Sequence, residues 1–123
     1  MRTNQQVFNN AWNADVVRHE PAGYSTQNAG CVYRTPEGYK CAIGHSLTDK
    51  ELCDISRADK MSEAFQDIDW LIEEPFESKD FCYQLQSVHD NAIGENFHKL
   101  IPARLQFLAN QWGLTIPEEE PIA

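Results

Sequence analysis

Gly30-Cys31-Val32-Tyr33-Arg34-Thr35-Pro36-Glu37-Gly38-Tyr39-Lys40-Cys41-Ala42-Ile43-Gly44-His45 is the stretch whose reading decides the fold expected of this chain. Pro36 supplies the fixed φ of a second turn position and Gly38 tolerates positive φ, so Thr35 to Gly38 reads as a type I turn closed by a left-handed glycine. Strands on either side would set Tyr33 opposite Cys41 and Cys31 opposite Ile43. One face of that hairpin holds Cys31, Tyr33, Tyr39, Cys41 and Ile43, and the other holds Val32, Arg34, Lys40 and Ala42. A slip of one residue would put Lys40 beside Cys31 and Tyr33, which supports the register. An isolated hairpin is marginal in water, so helices are expected to cover its apolar face.

The flanking sequence supplies those helices. Thr3-Asn4-Gln5-Gln6 is a capping box, followed by Phe8, Ala11, Trp12, Ala14, Val16 and Val17 at near-helical spacing and stopped by Glu20-Pro21 and Gly23. Thr48 and Glu51 form a second box with a Leu47 to Leu52 staple, opening a short helix that ends near Ile55 or Ser56. Met61, Phe65, Ile68, Leu71 and Ile72 mark an amphipathic helix whose other side carries Glu63, Asp67, Glu73 and Glu74. Ser78 caps a helix with Phe81, Leu85, Val88 and Ala92 in one stripe, closed by Gly94. The last helix uses Phe97, Leu100, Ile101, Leu105, Leu108 and Trp112, kinks at or starts near Pro102, and stops at Gly113. The expected fold is therefore α+β, with four to five helices packed around one two-stranded hairpin at 31–43. Residues 1–116 form one domain and 117–123 an acidic flexible tail.

The formal charge of −9 is unevenly spread. Asp49 to Asp80 carries eleven acidic and four basic side chains, whereas Met1 to Thr48 carries three acidic and four basic. Such a surface repels phosphate backbones, which argues against direct nucleic-acid binding and favours a protein partner with a basic surface, or simple solubility. No early apolar run with basic flanks and no 18-residue apolar stretch occurs, so a cytoplasmic protein without signal peptide or membrane span is expected, its four cysteines reduced.

Cys31, Cys41 and His45 share the parity of the hairpin's apolar face, and His89 or another cysteine could add a fourth ligand for a structural zinc. There is no Cys-x-x-Cys or His-x₃-His spacing, and a free cysteine usually behaves as a small buried hydrophobe, so core thiols without a cofactor are the first expectation. A nucleophilic Cys31 or Cys41 with His89 as base lacks a third member, because Asp90 follows His89 directly. Glycine-rich phosphate loops, His-Glu-x-x-His and Gly-x-Ser-x-Gly are absent from the sequence.

Gly30-Cys31-Val32-Tyr33-Arg34, Gly38-Tyr39-Lys40-Cys41-Ala42-Ile43-Gly44 and Leu85-Gln86-Ser87-Val88-His89-Asp90, following a capped helix with Phe8-Asn9, resemble a family of short uncharacterised proteins of tailed phages and prophages. The resemblance runs from about Val7 to Leu114 and departs at His45, where members of that family often carry a cysteine. It implies a small accessory protein that modulates a bacterial host protein, most concretely an inhibitor of a defence system; the charge asymmetry puts the expected contact at Glu63, Asp67, Glu73 and Glu74. The alternatives are a zinc-binding or cysteine-dependent small enzyme and an oligomeric assembly factor.

Overall fold

The computed structural model describes residues 1–19, 24–25, 30–31, 40–57, 74–92 and 96–117, and these are mostly helical. Among the described residues four α-helices carry the fold: α1 (Asn4–Trp12), α2 (Asp49–Arg57), α3 (Lys79–Ala92) and α4 (Phe97–Trp112). A π-helical segment (Asn13–Val17) extends α1, and a 3₁₀ turn (Gly44–Ser46) precedes α2.

The α+β expectation is overturned. The only ladder among the described residues is a two-residue antiparallel pairing of β1 (Tyr24–Ser25) with β2 (Gly30–Cys31), in which Cys31 stands opposite Tyr24 rather than Ile43. Where the second hairpin strand was expected, the chain coils. The His45 amide donates to the Cys41 carbonyl, Ser46 to Ile43 and Leu47 to Gly44. The physical reason lies in burial: Cys41, Ala42, Ile43 and Gly44 are all buried, whereas a strand with one solvated face would bury alternate residues. Their polar backbone is satisfied within the turn and by α3, since the Ile43 amide donates to Gln86 Oε1 at 3.2 Å. The turn at Pro36 to Gly38, the helix expected over Met61 to Ile72, the stop at Gly94 and the tail from residue 118 lie outside the described residues.

The capping chemistry forms as the sequence predicts. Thr3 Oγ1 accepts from the Gln6 amide while the Gln6 side chain accepts from the Thr3 amide, and Thr48 and Glu51 repeat the exchange at α2. Ser78 Oγ accepts from the Phe81 amide at the start of α3. At the end of α4, Gly113 sits at φ 65°, with its amide donating to Asn110 and that of Leu114 to Ala109, a Schellman stop. Pro102 lies inside α4, which runs through it and forgoes one backbone hydrogen bond.

The core is where α1, α3, α4 and the Cys41–Leu47 turn meet. Phe8, Ile43, Phe81, Leu85, Ile101 and Leu105 are fully buried there. Burying a side chain of this kind is worth about 1.5–3 kcal/mol each. Trp112 packs edge-on against Phe81, with its indole N–H donating to Gln84 Oε1. The chain ends are tied in separately. The Arg2 amide donates to the Pro75 carbonyl and the Glu77 amide to that of Arg2, so the entry to α3 is clamped on the N-terminus. Gln5 exchanges two hydrogen bonds with the Thr115 backbone, holding the segment after α4 on α1.

Candidate functional site

The turn before α2 carries Cys41 and His45, and the C-terminal half of α3 carries His89. Cys41 is buried, and its Sγ accepts from the Gly44 amide at 3.3 Å. Burial pushes its thiol up to about 12, with the Asp90 carboxylate adding to the rise and the turn's backbone amides opposing it. A thiol held in that state is a poor nucleophile at neutral pH. Cys31 has its backbone in β2, and its side chain lies outside the described residues.

His45 Nε2 lies 3.9 Å from Asp15 Oδ1, and both side chains are buried. His89 is fully buried in α3, with Nδ1 3.3 Å from Asp90 Oδ1 and its ring edge-on to Phe97 at 5.2 Å. Its Nε2 is buried without a hydrogen-bond partner. Asp90 also accepts from Gln86 Nε2 at 2.6 Å. Thus Cys41 and His89 both feel Asp90, while His45 belongs to Asp15. Among the described residues no group of three His, Cys, Asp or Glu side chains is placed to hold a metal ion.

Sequence reasoning passed over two buried charges. Asp15, only 1% exposed, sits at the seventh position after Phe8, where the stripe of Phe8, Ala11 and Trp12 continues, and Val17 is turned outward instead. The other is the Arg2–Glu51 ion pair, which joins the N-terminus to α2. Glu51 Oε1 accepts from both the Arg2 guanidinium and the Thr48 amide, so the capping carboxylate is also the partner of a buried cation. The Arg2 guanidinium lies over the Phe76 ring, 5.0 Å from its centre. A carboxylate on an apolar stripe was the available signal for Asp15; nothing local in the sequence pairs residue 2 with residue 51.

Of the predicted acidic contact residues, Glu63, Asp67 and Glu73 lie outside the described residues. Glu74 is about half exposed and takes the N-terminal amine at 2.9 Å, with Arg2 Nε at 4.0 Å. Residues 58–73 alone hold five acidic residues against one lysine.

Two surface depressions complete the picture. An apolar groove of about 470 Å³ runs between α3 and α4, lined by Ser87, Val88, Ala103, Arg104, Phe107 and Leu108. Phe107 is 65% exposed on its rim. A more polar cleft of about 400 Å³ lies between α1 and the turn, lined by Arg2, Gln6, Asn9, Asn10, Ser46 and Glu74 among others. Among the described residues no helix is long and apolar enough to cross a membrane. No known protein family, curated protein or solved structure matches the chain.

Proposed function

We propose that the chain is a small accessory protein that works by docking on a protein with a basic surface and modulating it. The observation that carries this reading is the uneven charge along the sequence: Asp49 to Asp80 holds eleven acidic and four basic side chains, against three acidic and four basic in Met1 to Thr48. The largest share lies in residues 58–73, between α2 and the clamped segment before α3. A concentrated negative segment speeds encounter with a basic partner and fixes its orientation. In the setting that the phage resemblance implies, the partner is a cytoplasmic protein of a bacterial host, and the concrete form is inhibition of a defence system.

The test is capture from host extract with wild-type protein and with a Glu63→Lys/Asp67→Lys/Glu73→Lys variant. The reading expects one dominant basic partner that wild type retains at low salt and the variant does not. Equal retention by the variant would sink it.

A further inference from the structure

His19 follows the π-helical segment and His98 lies in the first turn of α4. The segment packs on α4, and this contact brings the two imidazoles together, with ring centres 5.3 Å apart and planes inclined at 55°. We propose that His19 and His98 form a two-histidine site for a divalent transition cation of the zinc class.

The spacing is the first argument. Two imidazoles that each bind one tetrahedral zinc through a nitrogen at about 2.0–2.1 Å have ring centres roughly 5 Å apart. The observed separation matches that geometry. The second argument is the backbone. His19 has φ 53° and is the only non-glycine residue with positive φ among those described. Arg18 before it is still right-handed and closes the π-helical segment, its amide donating to the Asn13 carbonyl. Glycine would make the following left-handed step without steric cost, and the chain instead places an imidazole there. Non-glycine residues held at positive φ gather at ligand sites and switch regions.

His98 is held from the other side. The Phe97 ring, buried in the core, meets it edge-on at 5.1 Å, so α4 fixes the second imidazole while the strained turn fixes the first. His19 is exposed and His98 half-buried, which leaves the remaining coordination positions open to water or to a ligand from a bound protein. Imidazole nitrogens select zinc, copper or nickel over the hard cations magnesium and calcium. The site is separate from Cys41, His45 and His89, which face the interior.

Calorimetric titration of the untagged full chain with zinc chloride tests the proposal, with cobalt absorbance as a second readout. His19→Gly is the decisive variant, because it relieves the left-handed strain, so a loss of binding cannot be assigned to unfolding. His98→Asn is its partner. The expected result is one site per chain, weakened tenfold or more by either substitution and unchanged in Cys53→Ser and Cys41→Ser. Absence of binding, undiminished affinity in His19→Gly, or loss of binding only on replacing a cysteine would each overturn it.

Discussion

Cys41 and Cys82 show how much of a side chain's chemistry is set by where the fold puts it. Both thiols are buried and pushed up from 9.0 to about 12 by loss of water, with Arg2 opposing the rise at Cys82 and Asp90 reinforcing it at Cys41. Their folded pKa values lie above those of the unfolded chain, so the stability they contribute is complete below about pH 9 and is lost as the pH rises toward 12. The unfolded chain ionises in that window and the folded one does not. At pH 10 the loss comes to about 1 kcal/mol per thiol. Urea unfolding at pH 8 and pH 10 is expected to show it, with the difference reduced in Cys82→Ala. An identical pH dependence in that variant would show that the thiol contributes nothing to it.

At the scale of elements, the Arg2–Glu51 pair joins three pieces: the N-terminus, the cap of α2 and, through Phe76, the entry to α3. Removing one buried charge strands the other. Arg2→Ala is therefore expected to cost about 3–5 kcal/mol, and Arg2→Met combined with Glu51→Leu markedly less. Thermal unfolding of the three proteins checks this; a double variant as unstable as the single would mean that packing rather than charge is at stake. The caps at Thr3, Thr48, Ser78 and Gly113 were legible because each is decided within a few residues by groups that the sequence names. The hairpin was misread for the opposite reason. Pro36-Glu37-Gly38 announces a turn, but whether Cys41 to Gly44 extends or coils depends on burial against α1 and α3, which no local pattern contains. The same holds for the site. Asp15 was visible in principle as a carboxylate on an apolar stripe, whereas the meeting of His19 with His98 needs the docking of the π-helical segment on α4.

Across the whole molecule, burial separates the apolar side chains that hold the fold from those that line its surface. Phe81 is fully buried and Phe107 is 65% exposed, though they lie on the paired helices α3 and α4. Phe81→Ala is expected to cost about 3–5 kcal/mol and Phe107→Ala within about 0.5 kcal/mol, read by chemical denaturation. Comparable losses would place Phe107 in the core and close the groove beside it. Glu63, Asp67 and Glu73 fall on the polar side of the helix expected from the sequence, so their reversal is expected to change binding without changing the unfolding midpoint. The most direct measurement is the affinity of the wild type and the Glu63→Lys/Asp67→Lys/Glu73→Lys variant for the captured partner at about 50 and about 300 mM salt, where screening lengths differ more than twofold. The account predicts at least tenfold weaker binding of the wild type at the higher salt, and loss of binding by the variant even at the lower. Affinity that responds neither to salt nor to reversal would contradict it.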